Sequence, residues 1–188
     1  MGAQFTKTHV SRGIEFMQHY AVTQGYPQGM AATLQFLLQS TDHMQGFANI
    51  SFPDERMRML GQIVSTADLV GQMADRLYLE KLMFLYLEFK EAQIGNYQNI
   101  YAMLLKSFVF YEHVLYKLGS ELGGMVDKLS QHFKAWRGVE HNYYTESMER
   151  NIAYLSKVIA HGESGFTDLL RRGEVLSRLH MKLEAEPA

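Results

Sequence analysis

Cysteine is absent from the 188 residues, which removes disulfide bridges and thiolate zinc sites and fits a reducing compartment. Proline occurs three times, too seldom to interrupt long helices. No apolar run is long: Leu82 to Leu87 falls far short of the ~20 residues that cross a bilayer. The N-terminal MGAQFTKTHVSRG has no apolar segment of the secretory type. Neither sign of charge dominates, with 18 Lys and Arg against 20 Asp and Glu, a net charge of −2 and no long block of one sign. That balance gives no footprint for nucleic acid or an anionic membrane. Also missing are Glu-x-x-His, His-Glu-x-x-His, a P-loop and Gly-x-Ser-x-Gly, so a ferritin-like di-iron pair, a zincin site, a Walker phosphate cradle and a hydrolase elbow are excluded. A cytoplasmic, soluble protein is the expectation.

What is present is a strongly apolar chain. Hydrophobic residues make up 47% and aromatics 12%, enough for a sizeable core and against disorder. Periodicity near 3.6 recurs along the whole chain, and no convincing strand interrupts it. The fold expected is all-α, a single-domain multi-helix bundle of about seven helices over 1–188. Helices are predicted near 9–24, opened by Thr8 and closed by Gly25, and near 29–41. A central stretch from Arg56 to Ala92 follows, bending or breaking near Asp75-Arg76. Further helices are expected near 99–118, 125–136 and 143–160, with a terminal helix near 166–183 in the closing segment 163–188.

The central stretch carries the clearest chemistry. It starts after Ser51-Phe52-Pro53-Asp54-Glu55, a proline and two acids suited to a first turn. On a helical wheel Gly61, Ser65, Asp68, Gln72 and Asp75 fall within a sector roughly 80° wide, and nearly all the rest from Met57 to Leu77 is apolar. Two carboxylates on so narrow a stripe need partners, because isolated buried charge is costly. A wet acidic side, or acids bound by neighbouring arginines, is one explanation; a metal ligand at Asp68 is another. His9 opens the first helix and His43 follows the second. His, His and Asp on three successive helices can converge inside a bundle, and that mixed nitrogen and oxygen set suits Mn, Fe, Zn or Mg. The six remaining histidines read as surface or capping residues, and the Leu, Phe and Tyr of 77–92 read as packing.

Ser65-Thr66-Ala67-Asp68-Leu69-Val70-Gly71-Gln72-Met73-Ala74-Asp75-Arg76, continuing to Leu82, resembles the last motif of bacterial HD-domain proteins, the metal-dependent phosphohydrolase superfamily. Thr8-His9-Val10-Ser11-Arg12 is similar to a segment of that family in which a histidine opens a helix, and Ser40-Thr41-Asp42-His43 to its next histidine-bearing helix end. The resemblance covers roughly residues 2–160. It implies a bundle of HD type, a divalent metal at His9, His43 and Asp68, a catalytic role for Asp68, and Gln72, Asp75, Arg76 and Arg12 lining or bracing the pocket. For Arg76 a plain ion pair with Asp75 or Glu80 is the preferred reading over a pocket role. A phosphate ester or nucleotide is the substrate implied.

One departure changes the expectation. The family takes its name from an adjacent His-Asp pair, preceded by another histidine, upstream of the His9 segment. No His-Asp dipeptide occurs here, and only eight residues precede His9. Either the sequence is the C-terminal portion of a longer HD-like protein or it is a shortened relative. Missing ligands weaken metal binding, so the chain alone is expected to hold metal weakly or not at all and to be impaired or inactive. A non-catalytic helical interaction or sensory module is the alternative. Absent covering helices would leave apolar surface on the central element, which points to a homo-oligomer, with helix exchange as one route.

Overall fold

The computed structural model describes residues 3–27, 29–170 and 172. Among them there is no strand. The helices are α1 (His9–Thr23), α2 (Met30–Gln39), α3 (Glu55–Met73), α4 (Tyr78–Glu91), α5 (Ile100–Gly119), the single turn α6 (Met125–Lys128), α7 (Ser130–Arg137) and α8 (Tyr143–Ala160). Short 3-10 turns cover Ala3–Phe5, Phe47–Asn49 and Phe166–Leu169. The all-helical expectation therefore holds.

Local chemistry sets the boundaries. Thr8 does not cap α1 through its side chain; its hydroxyl donates to the Phe5 carbonyl at 3.4 Å. At the other end Gly25 takes a left-handed φ of 68°, Gly25 N–H bonds Val22 O and Tyr26 N–H bonds Ala21 O, the paired closure of a Schellman turn. Asp54 caps α3, its Oδ1 accepting from Met57 N–H at 2.7 Å. The central stretch breaks where expected, between Met73 and Tyr78, because Asp75 turns its carboxylate onto the Leu77 N–H at 2.7 Å and opens a new helix. The terminal helix expected over 166–183 starts instead as a 3-10 turn at Phe166–Leu169, and apart from Arg172 the rest of it lies outside the described residues.

The described residues form two compact units, one from 5–70 with 114–142 and the other from 3–4 with 71–113, 143–170 and 172. In the first, α1 lies against α2, and Gln18 Nε2 donates to Gln35 Oε1 at 3.1 Å. Phe52 meets Phe36 and Phe47 with ring centroids 6.0 and 5.2 Å apart. Buried Leu69, Val70, Val114, Leu118 and Leu122 add to its core. In the second, Tyr101 on α5 donates to Ile159 O of α8 at 2.9 Å and packs on Phe166, around buried Leu79, Leu82, Leu104, Met148 and Leu155.

Burial on α3 follows the sequence expectation only in part: Leu69, Val70 and Met73 on the apolar side are buried as expected, and Gln72 on the polar stripe is exposed. Gly61 and Ser65, on the narrow polar stripe, are buried. Met59 and Ile63, on the broad apolar side, keep 46% and 45% of their surface. The reason is close packing at Gly61: a Cβ there would stand 2.5 Å from Ser40 Oγ and 2.9 Å from two carbons of the Phe52 ring. Small and hydroxyl-bearing side chains let α3 approach its neighbours at Gly61 and Ser65, and in that half of the helix Met59 and Ile63 are left outside.

Candidate functional site

Three side chains of the first unit meet around His43. After α2 the chain turns on Asp42, whose Oδ1 accepts from the N–H groups of Met44 and Gln45 at 2.9 and 3.2 Å. This Asx turn fixes the loop and presents the imidazole. His43 Nε2 lies 3.2 Å from Asp68 Oδ2 on α3, and both side chains keep about a third of their surface, 35% and 34%. Its other nitrogen, Nδ1, lies 3.3 Å from Nζ of Lys117 in the last turn of α5. Lys117 is only 5% exposed.

The lysine decides the tautomer. An ammonium donates and has no lone pair to offer, so Nδ1 must accept from Lys117. The ring proton then sits on Nε2 and is donated to Asp68. Both ring nitrogens are therefore engaged inside the protein. Metal ligation by imidazole needs an uncommitted lone pair, and at His43 the lone pair faces a cation.

His9 is engaged elsewhere. Its Nδ1 lies 2.6 Å from the Thr6 carbonyl, in the exposed stretch just before α1. Among the described residues, no three His, Cys, Asp or Glu side chains are grouped as a metal ion would require. Of the expected set His9, His43 and Asp68, the fold pairs the last two directly.

The residues expected to line a pocket have other duties. Gln72 and Arg76 are exposed. Asp75 bonds Lys81 and accepts from the Leu77 N–H in the turn before α4, and the Lys81 ammonium, then the Leu77 N–H, holds its carboxyl below the usual 3.8 despite partial burial. Arg76 adds a weaker charge effect on Asp75, so Lys81, not Arg76, is the ion-pair partner. Arg12 lies over the Phe5 ring at 4.0 Å. A surface groove of about 510 Å³ is lined by His132, Ala135 and Trp136, outside the expected set.

Lys117 is the functional residue that sequence reading missed. A signal existed: Val114, Lys117 and Leu118 occupy one helical face, and both neighbours are nearly fully buried. A lysine in core register needs a buried acceptor.

No protein-family profile matches the chain, and no characterised protein or solved structure matches it either. No helix among the described residues is long and apolar enough to cross a membrane.

Proposed function

We propose that the chain is a helical interaction module built on a framework like that of HD-domain proteins, and that it does not hydrolyse phosphoesters by itself. The observation that carries this reading is the engagement of His43 on both nitrogens, by Asp68 at 3.2 Å and Lys117 at 3.3 Å. For a divalent ion to bind there, the Lys117 contact must first be given up and a cation moved away from the incoming charge. Metal-assisted hydrolysis depends on an ion held firmly enough to acidify a bound water, and this arrangement opposes it.

Surface chemistry supports the interaction half of the reading. Phe16, Tyr20 and Tyr26 form an exposed aromatic ladder, with ring centroids 6.0 and 6.4 Å apart. Phe16 leaves 64% of its surface free. Exposed apolar surface of this kind marks association sites, and a second copy of the chain is the partner proposed. Light scattering at micromolar concentration tests it: a dimer that Phe16→Glu dissociates supports the reading, and a stable monomer refutes the self-association. Nucleotide and generic phosphoester assays with added Mn, Mg, Fe or Zn test the other half. Metal-dependent turnover abolished by Asp68→Ala would restore the phosphohydrolase reading, with a phosphate-containing small molecule as its partner.

A further inference from the structure

Glu80 sits three residues into α4 with none of its surface exposed, a setting in which a carboxylate is almost never found without a partner. Its Oε1 accepts twice from one residue, from the Arg172 backbone N–H at 3.3 Å and from Arg172 Nε at 3.0 Å. Arg172 Nη1 donates to Asn151 Oδ1 at 3.4 Å. The guanidinium also lies over the Tyr154 ring, 4.4 Å from its centroid.

Asn151 and Tyr154 are held in place independently of the guanidinium. Asn151, nearly buried on α8, donates through Nδ2 to the carbonyls of Met73 and Asp75 at 2.8 Å each, so its amide oxygen is the end turned to the arginine. Tyr154, also on α8, is fixed by its hydroxyl on Leu169 O. A buried anion, a carbonyl acceptor and an aromatic face are the three elements that recognise a planar guanidinium. They come from α4 and α8, and the arginine arrives from the segment beyond the 3-10 turn Phe166–Leu169.

The occupancy is incomplete. Glu80 Oε2 and Arg172 Nη2 are both buried without a hydrogen-bond partner among the described residues. Those are the second oxygen and the second nitrogen that a side-on, two-bond arginine–carboxylate pair would join. Arg172 meanwhile keeps 28% of its side-chain surface, so the seat opens to solvent at one end.

We propose that Glu80, Asn151 and Tyr154 form a binding site for an arginine side chain, and that Arg172 occupies it as a tethered ligand. The site shares no residue with the His43 cluster.

The test empties the site in the full chain with Arg172→Ala and refills it with methylguanidinium. The variant melts below the wild type. Methylguanidinium at ten times its Kd raises the variant's Tm by roughly 3–6 °C, and methylammonium at equal concentration does not. The wild type shows no such rise, because a tethered arginine competes at an effective concentration of millimolar order or above. The double variant Glu80→Gln, Arg172→Ala gains nothing. Equal effects of the two cations on Arg172→Ala, or equal recovery in the double variant, overturn the proposal. Should Arg172→Ala not fold, arginine Nε–H exchange by NMR on the wild type decides: one protected resonance that Glu80→Gln abolishes supports the site, and no protected resonance overturns it.

Discussion

Gly61→Ala tests the packing of α3 most sharply, because the same helix supplies its own control. Alanine is the better helix former by about 1 kcal/mol in a helix interior, so propensity alone favours the substitution. Packing opposes it. The new Cβ would stand 2.5 Å from Ser40 Oγ and 2.9 Å from Cε1 and Cζ of Phe52. Neither neighbour moves freely: Ser40 is buried and donates to Phe36 O at 2.7 Å, and Phe52 is held between Phe36 and Phe47. Overpacking costs about 1–3 kcal/mol, and loss of the Ser40 hydrogen bond about 1 kcal/mol more. Subtracting the propensity gain leaves a destabilisation of about 1–3 kcal/mol, which at this chain length lowers Tm by roughly 2–12 °C. A Cβ at Gly71, two turns or more further along α3, meets nothing within 4 Å, so Gly71→Ala should stabilise by up to about 1 kcal/mol. Thermal and urea melts of the two variants read the difference directly. Shifts of the same sign at both positions would refute the close packing at Gly61.

Three further outcomes follow from local chemistry. Gln93 closes α4 with a left-handed φ of 54°, with Ile94 N–H on Phe89 O and Gln93 N–H on Lys90 O, so Gln93→Gly should raise stability by about 1 kcal/mol in urea melts. Asp75 has its carboxyl pKa lowered by Lys81 and the Leu77 N–H. Its contribution is fully present above the unfolded value near 3.8 and is lost as pH falls through the folded one, so Asp75→Asn should flatten the acid limb of a stability profile. Burial pushes the Tyr78 hydroxyl up to about 12 from 10.0, and that hydroxyl has no hydrogen-bond partner among the described residues. Stability should therefore fall as pH rises between those values, and Tyr78→Phe should remove that loss while costing nothing near neutrality, as alkaline melts would show.

Much of the architecture was legible because its signals are local. The Gly25 stop, the Pro53-Asp54 start and the break at Asp75 each depend on a few neighbouring residues, and each lies where the sequence places it. The packing of the first half of α3 was not legible, although Leu69, Val70 and Met73 are buried as the pattern implies. Periodicity separates a polar stripe from an apolar face, but which of them meets a neighbour depends on Ser40 and Phe52, which Gly61 admits at close range. The sequence suggested that His9, His43 and Asp68 converge, but not that His43 would contact Asp68 directly while His9 bonds the Thr6 carbonyl. Lys117 entered from α5, far along the chain, and altered what the imidazole can do. The same holds for Glu80, whose partner Arg172 lies 92 positions away with no local pattern to join them.

Calorimetric titration of the wild-type chain with Mn and Zn probes His43 most directly. Imidazole nitrogens engaged by Asp68 and Lys117 should give no saturable heat at micromolar protein, and Lys117→Met, which frees Nδ1, should be the variant in which any binding emerges. Tight, stoichiometric binding by the wild type, lost in both His43→Ala and Asp68→Ala, would contradict it.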